Sequence, residues 1–142
     1  MAQRELTGIA GWLLLLAVLQ VGGLLFHAVA LARLLPAAER LFVLSPIVIG
    51  YELMANLVTV TLLLYTTLLL FRRRQAFPFM LRMQLWTIAL LHLVDFAVTR
   101  FLIGPTRSIW FESGEMVGHV TAAIVWSAYT LQSVRVRNTF VT

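Results

Sequence analysis

Residues 47–74 read IVIGYELMANLVTVTLLLYTTLLLFRRR, and their order decides the class of this protein. Up to Phe71 the stretch holds one ionised side chain, Glu52, and then Arg72, Arg73 and Arg74 follow directly. At ~1.5 Å per residue, such a run is long enough to cross ~30 Å of hydrocarbon as a helix. A water-soluble helix of this length would need a polar face, and this one lacks it. The three arginines mark the point where hydrocarbon gives way to an aqueous, anionic surface. The segment reads as a membrane span that ends at an interfacial loop.

The same pattern recurs on both sides. Between Glu5 and Arg33 no residue is ionised; from Arg82 to Arg100 only Asp95 is, and from Glu115 to Arg135 none is. The spacing predicts helices at about 8–35, 47–71, 80–103 and 116–133, in a single transmembrane domain over residues 1–142. Pro36, Pro46, Pro78 and Pro105 fall outside or at the ends of these spans, where a missing amide costs little. Arg4 and the Ala28-Val29-Ala30 triplet sketch a signal peptide. The apolar run, however, exceeds the ~7–15 residues of a signal core, so it is read as a retained span. The expected fold is all-α, an antiparallel bundle of four transmembrane helices.

Composition supports this reading. Of 142 residues, 61% are hydrophobic and 12% charged, half the charge that coats a soluble domain. The net charge of +5 comes entirely from arginine. These arginines are scattered between apolar runs and offer no continuous surface for nucleic acid. With no cysteine there is neither a thiolate nucleophile nor a thiolate metal ligand. Arginine placement predicts N-in/C-in topology: Arg4, Arg72, Arg73, Arg74, Arg82, Arg135 and Arg137 lie on one face. The other face carries Arg33, Arg40, Arg100 and Arg107, diluted by Glu39, Glu112 and Glu115. Arg72–Arg74 with Arg135 and Arg137 are expected at cytoplasmic lipid headgroups. Trp12, Phe77, Phe79, Trp110 and Phe111 sit near the boundaries as interfacial anchors.

Three stretches carry a resemblance: Gly8-Ile9-Ala10-Gly11-Trp12-Leu13; Tyr51-Glu52 through Asn56 to Phe71-Arg72-Arg73-Arg74 and Phe77-Pro78; and the run Trp126, Tyr129, Ser133, Arg135-Val136, Thr139-Phe140. In these the chain resembles the YdgK-like family of small bacterial inner-membrane proteins, domain of unknown function 2569. Ala10 stands where the family pattern has glycine, and Thr130 where a second aromatic is common. The resemblance implies four helices, multi-pass, in a bacterial inner membrane. It implies no activity.

Polar residues within the spans fall on helical stripes: Gln20, Gly23 and His27; Glu52, Asn56, Thr59 and Thr66; Gln84, His92, Asp95 and Thr99; Glu115, His119, Trp126 and Ser133. Such groups are costly in hydrocarbon and turn toward a bundle interior or a wet cavity. At ~1.5 Å per residue, His27, Glu52, Asp95 and His119 lie within roughly 5–12 Å of the outer boundary, with His92 deeper and Arg100 and Glu115 above. These seven residues and Asn56 are the candidate cavity set. Gly114 and Gly118 form a GxxxG, and Gly8, Gly11, Gly22 and Gly23 thin the first helix, all suited to close packing, chiefly within the chain or else against another membrane subunit.

Three readings of the cluster compete. The residues satisfy one another; or they bind a cation, proton or small polar solute, led by Glu52 and Asp95; or pairs such as His92/Asp95 and Glu115/His119 ligate a metal. No HExxH, GxSxG or phosphate loop completes a catalytic motif. The expectation is therefore a non-catalytic accessory or scaffold subunit without metal or cofactor. Its outer-leaflet cavity would take a lipid, a membrane-protein partner or a second copy of the chain. The runner-up is a small transporter or channel.

Overall fold

The computed structural model describes residues 8–98, 100–101 and 109–140, apart from the side chains of 39–41, 44 and 109–112. Among these residues every regular element is helical. Helix α1 spans Trp12–Leu44, α2 Pro46–Phe71, α3 Phe77–Val98, α4 Ile109–Gln132, and a short α5 Val134–Thr139. Three stretches among the described residues, Trp12–Ala38, Pro46–Phe71 and Phe77–Val98, are long and apolar enough to cross a membrane. That is the arrangement of a multi-pass membrane protein. Helix α4 has 24 residues but does not join this set, because His119, Thr121, Ser127 and Thr130 dilute its apolar content. Thr99, Pro105, Arg107, the end of the third expected span and the sites of Arg4 and Glu5 lie outside the described residues. So do the side chains of Trp110, Phe111, Glu112, Glu39 and Arg40.

Helix boundaries depart from the sequence reading where proline and glycine act differently than expected. Helix α1 runs through Pro36 instead of ending before it. Pro36 forfeits one bond, to the carbonyl four residues earlier, and the helix formers Ala37 and Ala38 follow it. The break comes at Ser45, whose φ of −153° and ψ of 80° are extended, as the residue before Pro46 must be. Pro46 then opens α2 where its lack of an amide is harmless. At the other end, Gly8 (φ 81°) and Gly11 (φ 58°) are left-handed and precede α1; they do not thin it. The Gly11 carbonyl accepts the amides of Leu14 and Leu15 and so starts the helix at Trp12.

The chain divides into two compact units, residues 1–77 with 133–142, and residues 78–132. In the first unit α1 and α2 form a hairpin turned at Ser45. Gln20 meets Thr66, Leu63 lies over Gly23, and Phe42 sits beside Gly50, so the partners run in opposite senses and the pair is antiparallel. The buried side chains of the hairpin gather away from Ser45. They are Leu13, Leu16, Ala17 and Gln20 on α1, and Thr59, Leu63, Thr66, Thr67, Leu69 and Leu70 on α2, with Ala38 the one described exception toward Ser45. In the second unit Leu81, Gln84, Ile88 and Ala89 of α3 and Ala123 and Thr130 of α4 are buried.

Helix α2 ends in a tight turn without glycine. Arg73 takes the left-handed conformation (φ 51°), and the amides of Arg72, Arg73 and Arg74 cap the carbonyls of Leu68, Leu70 and Leu69. The C-terminal segment closes over this end. The Ser133 hydroxyl accepts the Val136 amide and caps α5. Val136 and Phe140 are buried, and the Phe140 ring stacks on Phe77 at 4.5 Å. Thr139 Oγ1 accepts the Gly8 amide at 3.0 Å, tying the last helix to the approach of the first. Truncating Phe140 to alanine leaves Phe77 without its stacked partner. Phe140→Ala should lower the unfolding free energy by about 3 kcal/mol, read by denaturant titration in micelles. An unchanged midpoint would show that the segment is not part of the core.

Candidate functional site

The candidate residues resolve into one polar cluster in each unit, with a cationic surface at one end of the first.

In the hairpin, the Asn56 side chain lies between two ionisable groups. Its Nδ2 donates to the Glu52 backbone carbonyl at 2.9 Å and to Glu52 Oε2 at 3.5 Å. The same side chain is hydrogen-bonded to His27 across the helix pair. Since the amide nitrogen is engaged with Glu52, the Asn56 carbonyl oxygen is the atom left to accept the imidazole N–H. Spacing explains why the three meet. Glu52 and Asn56 are one turn apart on one face of α2, and the antiparallel register brings His27 of α1 alongside. His27 lies about 22 Å along α1 from Trp12, and Glu52 about 9 Å along α2 from Pro46. Glu52 and Asn56 therefore lie in the Ser45 half of α2 and His27 near the middle of α1, all within the apolar stretches.

Burial separates this half from the other. His27, Glu52 and Asn56 are each half-buried, and none of residues 21–37 of α1 or 46–58 of α2 is fully buried. Toward the arginine end the hairpin is closed. There Gln20 Nε2 donates to Thr66 Oγ1 at 3.2 Å, with both side chains buried, and Thr66 passes its proton to the Leu62 carbonyl at 2.8 Å. Gln20 and Thr66 thus satisfy each other inside apolar packing, as a membrane-embedded polar pair must.

In the second unit the His92 and His119 rings stack at 3.7 Å between centroids and 10° between planes. The contact joins α3 to α4 at mid-helix. It is a stacking geometry, not a ligating one. A metal binds the imidazole lone pair in the plane of the ring, and two nearly parallel planes do not meet within bonding reach. Among the described residues no group of three His, Asp or Glu is placed to hold a metal ion. Asp95 is half-buried one turn beyond His92, while Glu115, one turn before His119, is exposed to solvent or lipid. Arg100 is half-buried in a short π-helical turn at 100–101. The contacts seen among the eight expected residues are His27–Asn56–Glu52 in the first unit and His92–His119 in the second.

The glycine face of α4 is the clearest departure. A Cβ at Gly114 or Gly118 would meet nothing within 4 Å, so this pair does not support close packing within the chain. Gly23 fulfils that role, with Leu63 at 3.6 Å from where its Cβ would stand. The C-terminal clasp went unread as structure. Its signal was the apolar-polar spacing of Val136, Thr139 and Phe140, too short to announce a helix.

Comparison with known families gives one match: the sequence model of DUF2569, described as a protein of unknown function, covers residues 6–141. No curated protein and no solved structure matches the chain.

The absence of native cysteine makes the imidazole stack easy to test. In a His92→Cys/His119→Cys variant, mild oxidation should close an intramolecular disulfide in membranes, detected by mass spectrometry of the peptides. Recovery of two free thiols would contradict the α3–α4 register.

Proposed function

This chain belongs to DUF2569, a family of unknown function, and from that premise we propose that it is a non-catalytic accessory subunit. We place it in a bacterial inner membrane, as a YdgK-like protein crossing four times with both termini in the cytoplasm. Helix α4 would provide the fourth span: after Glu115 it carries no ionised residue to its end at Gln132. The arginine triplet after α2 supports the orientation.

One observation carries the reading. His27, Asn56 and Glu52 are bonded to one another yet remain half-exposed, in a stretch of the hairpin (residues 21–37 and 46–58) where no side chain is fully buried. A network already satisfied within itself has no need of a substrate to complete it. A half-exposed polar face at membrane depth nevertheless favours a neighbour that brings a polar group of its own. A lipid headgroup drawn into the outer leaflet, a partner subunit's helix or a second copy of the chain meets that description. His92, His119, Asp95, Arg100 and Glu115 would form a second polar group within their own unit. No residue set completes a catalytic arrangement, and neither metal nor cofactor enters the proposal.

The transporter reading keeps one observation in its favour. A carboxyl and an imidazole joined through an amide within an apolar stretch are groups that a proton or cation pathway uses. The two readings separate on Glu52. For the accessory role, proteoliposomes of wild-type protein should pass protons and alkali cations no faster than empty vesicles. Glu52→Gln should behave identically while keeping its fold by circular dichroism. Flux in the wild type that disappears in Glu52→Gln would replace the accessory role with transport.

A further inference from the structure

We propose that the arginine end of the α1–α2 unit is one composite binding site for anionic phospholipid headgroups, assembled from the α2–α3 turn and the docked C-terminal helix. Arg72, Arg73 and Arg74 are exposed in the turn, and Arg135 and Arg137 project from α5, half-buried and exposed respectively. Two contacts bring these elements together. The Phe77 amide is bonded to the Arg74 carbonyl at 3.0 Å, which fixes Phe77 at the end of the turn. Its ring stacks on Phe140, one helical turn beyond Arg137. Thr139 completes the seat through the Gly8 amide.

The result exceeds what a topology signal requires. Orientation depends on how many arginines a loop carries, not on where their side chains are held. Here backbone capping and a buried aromatic stack fix the chain from which five arginine side chains project at one end of one unit. No acid occurs in residues 68–77 or 133–140 to neutralise them. Each guanidinium offers a planar fork that takes two phosphate oxygens at once. The flanking Phe71, 57% exposed, supplies apolar surface where acyl chains begin. A phosphodiester attached to hydrocarbon satisfies both features, and a free phosphate satisfies only the first. The site is independent of the His27–Asn56–Glu52 trio, so its failure would leave that reading untouched.

The test uses full-length protein in detergent, titrated with phosphatidylglycerol or phosphatidylcholine and read by native mass spectrometry. Wild-type protein should retain phosphatidylglycerol in preference to phosphatidylcholine, and inorganic phosphate should not displace it. At about fivefold for each arginine, Arg72→Gln/Arg73→Asn/Arg74→Gln should weaken retention about a hundredfold. Asparagine at position 73 tolerates the left-handed backbone. Arg135→Gln/Arg137→Gln should weaken retention about thirtyfold. Phe140→Ala, which removes no charge, should match that pair because it undocks α5. Unchanged retention in either arginine variant, equal retention of both lipids, or displacement by phosphate would overturn the proposal. The arginine variants keep the test decisive even if Phe140→Ala fails to fold.

Discussion

Hydrocarbon offers a polar side chain no water, so polar groups in a span are driven to find partners on the protein, the buried hydroxyls of Thr67 and Ser127 excepted. That constraint organises what is seen here. Gln20 reaches across the hairpin to Thr66, and Thr66 hands its own proton back to the α2 backbone. Asn56 occupies both of its ends, one on Glu52 and one on His27. His92 lies flat against His119. Gln20–Thr66, His27–Asn56 and His92–His119 each link two helices through residues that apolar packing alone could not have placed in register.

The hairpin is uneven along its length, and the unevenness has a chemical cause. Near the arginine turn, leucines from both helices, the Phe77–Phe140 stack and Val136 supply an apolar core, and the Gln20–Thr66 bond is enclosed by it. Toward Ser45, polar groups take the place of leucine at the facing positions, and among the described side chains of residues 21–58 only Ala38 is buried. One end is thus built for permanence. The other presents half-exposed polar surface at membrane depth, where association with a lipid or another helix costs little desolvation.

Much of this was legible in the sequence because the signal was long. An uninterrupted apolar run bounded by arginines fixes a span whatever its neighbours do, and three of the expected spans have the length and apolarity to cross a membrane. The stripes on the first two helices also read correctly, since Gln20, Gly23 and His27 do face α2. Boundaries were harder. A proline was expected to end α1 at Leu35, but one lost hydrogen bond is not enough to stop a helix continued by alanines. The effective break lay one proline later, through its constraint on Ser45. Glycines misled in both directions. Gly8 and Gly11 serve a left-handed turn, and Gly114 and Gly118 face open space. Spacing shows where close approach is permitted; it does not show where a neighbour comes. The six-residue α5 had too little periodicity to be read, and its place depends on tertiary contacts with Phe77 and Gly8.

Cross-helix polar pairing is the claim on which the account stands, and the buried Gln20–Thr66 bond isolates it best. A double-mutant cycle with Gln20→Leu and Thr66→Val, followed by reversible unfolding in bicelles, measures it directly. The account predicts a favourable coupling of about 0.6 kcal/mol, the usual size for such bonds between membrane helices. Strictly additive effects of the two substitutions would mean that the pair does not hold the helices together.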